Sequence, residues 1–122
     1  MISEFRILLC QILISPLSIV VTPRCKKGHE QTRIGVLHSE EVQVQCHVDS
    51  VPEVNRFSWT YNTSRDVLRV QGSRVKNKGG VSTLHFKPPS SGDEVQSLSC
   101  WAVNDVGRQE KPCVFIIVPA GE

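Results

Sequence analysis

Apolar side chains recur at every second position through four stretches of this chain, and polar ones fill the gaps. In VQVQCHV, Val42, Val44, Cys46 and Val48 share one parity, while Gln43, Gln45 and His47 take the other. A period of two is the mark of a half-buried β-strand. RFSWTYN repeats it with Phe57, Trp59 and Tyr61, and Ser82, Leu84 and Phe86 repeat it again. In SLSCWAV the pattern turns Leu98, Cys100 and Ala102 inward and Ser99, Trp101 and Val103 outward. Val67 to Val70 predicts a weak edge strand, and CVFIIV predicts the last strand. Turn-forming residues separate these runs: Pro52 after the first, Gly72, Gly79 and Gly80 in the middle, Pro88, Pro89 and SSGDEVQ before the fourth. Asn104, Asp105, Val106 and Gly107 supply residue types that tolerate positive φ and so predict a hairpin turn. The first part of the chain carries no such alternation, and Pro23 to His29 looks like a polar start before a turn at His38 to Glu41.

Cys46, Trp59 and Cys100 each sit at the centre of one of these runs. That order predicts an all-β fold, a Greek-key sandwich of two antiparallel sheets. One cysteine lies on each sheet, a bond joins Cys46 to Cys100, and the Trp59 indole packs on that bond. At about 25 cal/mol per Å², burying an indole contributes a few kcal/mol. Trp59→Ala is therefore expected to be among the most damaging single changes.

A chain of 122 residues holds one domain, not two. Its five cysteines are many for a reducing compartment and predict an oxidising one. Cys10 lies apart in an apolar leader, and four cysteines allow three connectivities. With Cys46 and Cys100 assigned by the sandwich pattern, Cys25 and Cys113 remain. A bond between them would pin the N-terminal segment to the last strand. Asn62, Thr63 and Ser64 form an acceptor triplet for N-glycosylation at Asn62, in keeping with an extracellular location.

The leader occupies residues 1–22. From Ile7 to Val21 it is nearly all apolar, too short to span a bilayer comfortably and interrupted by Pro16. A secretory signal is the expected role, although Glu4 offsets Arg6 and no small-x-small cleavage motif follows. The folded domain is expected over residues 23–118, with 119–122 starting a linker.

The run CWAVNDVGRQEKPCVFIIVPAGE, together with Cys46 and Trp59, resembles an immunoglobulin-like domain. More closely it resembles a membrane-proximal domain of the arthropod Sidestep family. Leu98 stands where such domains usually place the tyrosine of the tyrosine corner, and Glu94 stands near the customary Asp. A buried Leu fills that volume without needing a polar partner. The resemblance implies a fragment of a multi-domain, single-pass cell-surface receptor acting in cell–cell recognition or axon guidance. It implies protein partners from the immunoglobulin superfamily, of the Beaten path kind, bound mainly through more N-terminal domains of the receptor. Membrane attachment would come from sequence beyond Glu122. A small secreted binding protein is the alternative in which nothing follows.

Chemistry-bearing residues do not assemble into a catalytic pattern. Cys46 and His47 are adjacent, so a strand sends them to opposite faces and His47 cannot activate the thiol. Cys25 and His29, joined by Cys113, have zinc-like spacing, but Lys26 and Lys27 lie between them and would repel the ion. Gly79 and Gly80 precede a strand, not a helix, and so cradle no phosphate. No cofactor, metal or small-molecule substrate is expected. A formal charge of +2 gives no reason to expect a nucleic-acid partner. Arg65, Arg69, Arg74, Lys76 and Lys78 make one stretch locally basic, which a solvated loop and edge strand would explain. The candidate for partner binding is Trp101, with Ser58 and Thr60 on the same outer face.

Overall fold

The computed structural model describes residues 19–37, 40–89 and 94–119. Their strands are β1 (Val21–Cys25), β2 (Gln31–Val36), β3 (Val42–Val51), β4 (Arg56–Asn62), β5 (Val67–Arg69), β6 (Val75–Lys78), β7 (Val81–Phe86), β8 (Ser97–Val103) and β9 (Cys113–Pro119). They form a four-stranded sheet in the order β1-β3-β7-β6 and a five-stranded sheet in the order β2-β9-β8-β4-β5. Most of the apolar leader lies outside the described residues, as do His38 and residues 90–93 of the turn before β8. No helix among the described residues is long and apolar enough to cross a membrane.

Alternation along β3, β4, β7 and β8 fills the space between the sheets. Val44, Cys46, Val48, Trp59, Leu84, Phe86, Leu98, Cys100, Ala102 and Phe115 are all buried there. Leu98 is fully enclosed, so the tyrosine-corner position serves here as core. The Cys46–Cys100 disulfide joins β3 to β8 across the core, with a Cα separation of 6.4 Å. Cys100 is the cross-strand partner of Trp59, and Cys46 is the cross-strand partner of Ser82. Trp59 Nε1 donates a 2.8 Å hydrogen bond to Ser82 Oγ, so the indole bridges the same two sheets beside the disulfide. Its ring lies over Phe115, centroids 5.6 Å apart. The Ser82 hydroxyl in turn donates a hydrogen bond to Asn77 Oδ1.

Three sequence expectations are corrected. The domain starts earlier than residue 23: Val21 and Thr22 belong to β1, and Cys25 ends that strand rather than preceding the first one. Pro23 obscures it as a strand, but β1 is an edge, where a missing N–H breaks no central ladder. The second sheet is mixed, because β2 pairs parallel to β9, Gln31 with Val114 through Val36 with Pro119. A parallel pair cannot be closed by a hairpin, and most of the domain lies between these two strands. The third is a detail: the expected hairpin turn over Asn104–Gly107 forms, with Asn104 N–H donating to the Gly107 carbonyl at 3.0 Å, but Gly107 is absent from the positive-φ glycines, which are Gly28 (φ 89°) and Gly79 (φ 59°). The β8–β9 turn is instead closed by Asn104. Its Oδ1 accepts from the backbone N–H groups of Val106 and Gly107. Its Nδ2 donates to the Val21 carbonyl at 2.7 Å, to Ser50 Oγ at 2.9 Å and to the Pro52 carbonyl at 3.2 Å.

The second disulfide, Cys25–Cys113, is also an inter-sheet bond, from the end of β1 to the start of β9, with a Cα separation of 5.6 Å. In the chain-entropy account each of the two cross-links stabilises by about 4–5 kcal/mol. Gln109, buried to 3% exposure, packs against this bond. Its Oε1 accepts from Ala102 N–H, and its Nε2 donates to the Lys111 carbonyl and lies 3.2 Å from Cys25 Sγ.

Two stability outcomes follow from this packing. Trp59→Ala should lower unfolding free energy in denaturant titrations by about 3–5 kcal/mol, since it removes the ring and orphans one bond of Ser82. At Gly80, an added Cβ would sit 2.8 Å from the Val48 carbonyl oxygen. Gly80→Ala should therefore cost about 1–3 kcal/mol in the same titration, whereas a neutral result would show that β3 and the β6–β7 turn yield freely.

Candidate functional site

The outer face of the five-stranded sheet carries every residue singled out for partner binding. Strand alternation that buries Trp59 and Cys100 turns Ser58, Thr60, Asn62 and Trp101 the other way. Trp101 lies directly across from Ser58, and Thr60 lies across from Ser99 in the next outward row. The sheet thus brings Trp101 and Ser58 into one pair and places Thr60 two residues along. Trp101 is half-buried rather than protruding, because the Arg108 guanidinium lies 4.2 Å from the centre of its ring. At a surface such a contact is worth about 0.5–1 kcal/mol. Arg108 is positioned by its bridge to Val103, the continuation of the β8–β9 hairpin.

Other residues of this face escape a reading of the sequence. Ser99 points outward as expected, yet it is only 6% exposed, walled by Thr60 on one side and Val114 on the other. Val114 and Ile116, the cross-strand partners of Ser99 and Ser97, give the face an apolar flank. CVFIIV is apolar at nearly every position, so its period cannot say which residues point out. Arg33 and Arg69 close the two sides, in register with Ile116 and Thr60. The face therefore has small residues at its centre, an indole and two valine-sized walls around them, and guanidinium groups at the rim.

Asn62 lies on the same face at the end of β4. Its Nδ2 donates a 2.9 Å hydrogen bond to Ser97 Oγ. Thr63 shapes the following turn, its Oγ1 accepting from Asp66 N–H at 3.0 Å. The acceptor nitrogen for a glycan is thus held in place and partly accessible, two residues along β4 from Thr60.

The remaining sequence candidates lie elsewhere. Cys25 and Cys113 are bonded to each other, so neither offers His29 a thiolate co-ligand. Among the described residues no three His, Cys, Asp or Glu side chains gather as a metal site. His47 projects from β3 away from bonded Cys46, its ring centroid 5.0 Å from that of His29. It is half-buried, more enclosed than a solvated outer-face residue would be. Burial, then the nearby His29 and Lys26, lower its pKa below the usual 6.5.

Comparison with known proteins bears on the fold. No family model matches the chain, and no curated protein matches it. Solved structures do match. The chain is similar to the four N-terminal Ig domains of Dscam1 isoform 6.9, with a TM-score of 0.58 and 19% identity, over 84% of this chain and 25% of that one. It is similar to an I-band fragment of titin, with a TM-score of 0.54 and 20% identity, over 84% of this chain and 34% of that one. A titin domain crystallised in a trigonal form gives a TM-score of 0.58 at 17% identity, over 84% of this chain and all of that one. The chain thus spans about a quarter of the Dscam1 structure and a third of the I-band fragment. At such identities the likeness speaks for architecture alone, and the architecture is an immunoglobulin-like sandwich.

The depressed pKa of His47 sets a pH dependence. The unfolded chain takes up a proton at His47 more readily than the folded domain does, so this contribution to stability is complete above pH 6.5 and is lost as pH falls below it. Thermal melts at about pH 7.5 and about pH 5.5 should show a smaller drop for His47→Gln than for the wild type. Equal drops would mean that the crowding around His47 has no thermodynamic weight.

Proposed function

We propose that this chain is an extracellular immunoglobulin-like recognition domain that binds a protein partner and has no catalytic activity of its own. The observation that carries this reading is the outer face of the five-stranded sheet. There Trp101, capped by Arg108, stands over a floor of small residues with Val114 and Ile116 beside it. A rigid aromatic with a guanidinium over a flat sheet is the composition that dominates protein interfaces. Both disulfides support an oxidising, extracellular setting.

The finer identity rests on the run from Cys100 to Pro119, which resembles the Sidestep family. The domain would then be part of a Sidestep-like cell-surface receptor, acting in cell–cell recognition or axon guidance, with an immunoglobulin-superfamily protein of the Beaten path kind as partner. Asn62 is the proposed glycan acceptor. A sugar there would cover the Thr60 and Ser97 end of the face and confine the partner to the Trp101 end.

Biolayer interferometry of the secreted chain against immunoglobulin-superfamily ectodomains, Beaten path proteins included, tests the proposal. Trp101→Ala should weaken the complex by at least about tenfold while the melting temperature stays close to that of the wild type. A panel with no binder, or a Trp101→Ala variant that binds as well as the wild type, would sink it.

A further inference from the structure

The opposite face of the sandwich has a different chemistry. The outward side chains of the four-stranded sheet fall in rows set by its register. His47 of β3 lies across from Val81 of β7, which lies across from Lys78 of β6. The next row runs from Gln45 through Thr83 to Lys76. Lys26 extends the first row on the β1 side, its backbone N–H donating to the His47 carbonyl at 2.9 Å. Strand spacing of about 4.8 Å places the backbones of Lys26 and Lys78 about 14 Å apart, and Lys76 lies about 7 Å from Lys78 along β6. A shallow cleft of 360 Å³ lies between β3 and β6, lined by Gln45, His47, Lys76, Lys78 and Thr83, with Lys26 outside it on the His47 side.

Positive charge on this face is not offset. Glu41 is engaged by Arg74 at 3.4 Å and by His85 at 3.5 Å. Asp49, in the outward row next to His47, lies in register with Arg24. None of Lys26, Lys76 and Lys78 forms an ion pair with a described residue. Thus the basic stretch in the sequence does not act as a unit: Arg69 goes to the five-stranded sheet, while Lys76 and Lys78 share a face with Lys26, just after β1.

We propose that the Lys26–His47–Lys76–Lys78 face binds a sulfated polysaccharide of the glycosaminoglycan class. Ammonium groups act as point charges that suit isolated sulfates, and Gln45 and Thr83 between them can hydrogen-bond sugar hydroxyls. A flat face several strands wide fits an extended, regularly charged chain. Apart from imidazoles, no aromatic ring stands among the described residues of this face, so bases find nothing to stack on. Val81 alone offers no apolar wedge for a lipid surface. The choice of polysaccharide rests on the extracellular reading above; the anion site itself does not.

The probe is a heparin dodecasaccharide, measured against the secreted chain at physiological salt. Lys26→Gln/Lys76→Gln/Lys78→Gln should lose at least about tenfold in affinity, and binding of the wild type should fall steeply with added salt. Arg33→Gln/Arg56→Gln/Arg69→Gln removes the same charge from the other sheet and should change affinity less than about twofold. All six positions are exposed, so matched melting temperatures will show that both variants fold. Equal losses in the two variants would reduce the effect to net charge and overturn the proposal. So would retention of fully desulfated heparin, or tighter binding to duplex DNA or phosphatidylserine vesicles than to heparin. Failure of the extracellular reading shows separately, as free thiols in the purified chain. Lysine-dependent binding would then leave the anion site standing and overturn its polysaccharide ligand.

Discussion

The Trp59 indole and the Cys46–Cys100 bond cross the sandwich side by side, and the positions of both sheets follow from that pair. Each end of the indole is tied to one end of the disulfide by strand pairing: Trp59 is the neighbour of Cys100, and its hydrogen-bond acceptor Ser82 is the neighbour of Cys46. A polar N–H in the driest part of the core is thereby satisfied, which removes the usual penalty for burying it. The spacing between sheets is fixed covalently and by ring packing at once. The outward parity of every other side chain on β3, β4, β7 and β8 is set by those four contacts.

Both surface chemistries depend on that parity. Inward Trp59 and Cys100 force Ser58, Thr60 and Trp101 outward on one side; inward Cys46 and Ser82 force Gln45, His47, Val81 and Thr83 outward on the other. A one-residue slip in either sheet would exchange core for surface and destroy both faces together. The second disulfide adds a constraint at the edge. Cys100 and Cys113 are cross-strand neighbours on β8 and β9, so both covalent bonds leave the five-stranded sheet at one level. Sheet membership excludes a Cys100–Cys113 or a Cys25–Cys46 bond, and the strand on which each cysteine sits then gives the observed pairs.

Much of this was legible where the period of two was clean. The strands around Cys46, Trp59, Phe86 and Cys100 follow the alternation, and the Cys46–Cys100 and Cys25–Cys113 bonds are those the pattern and the remainder imply. What escaped has physical reasons. β1 is short and contains Pro23, and β2, QTRIGV, alternates too weakly to stand out from a loop. Pairing direction leaves no trace in one strand's period, so the parallel β2–β9 ladder was invisible. Gln109 and Asn104 are polar and would be assigned to the surface, yet both are buried and act as braces. Of the binding face, Trp101, Ser58 and Thr60 could be named from parity; Arg108, Val114 and Ile116 needed the third dimension. Of the cationic face, Lys76 and Lys78 stood out within the basic stretch; that Lys26 joins them needed the sheet register, because it comes far earlier in the sequence.

Asn104 has a consequence for where variation can be tolerated. In immunoglobulin-like variable domains, the loop joining the last two strands is free to change and serves as a recognition loop. Here one carboxamide closes that loop upon itself and simultaneously clamps the start of β1 and the segment after β3. Gly107 is hemmed in as well, a Cβ at that position meeting Thr22 Cγ2 at 3.3 Å. The loop is a keystone of the scaffold, so lineage-specific diversity would have to accumulate on the two sheet faces instead of at this tip.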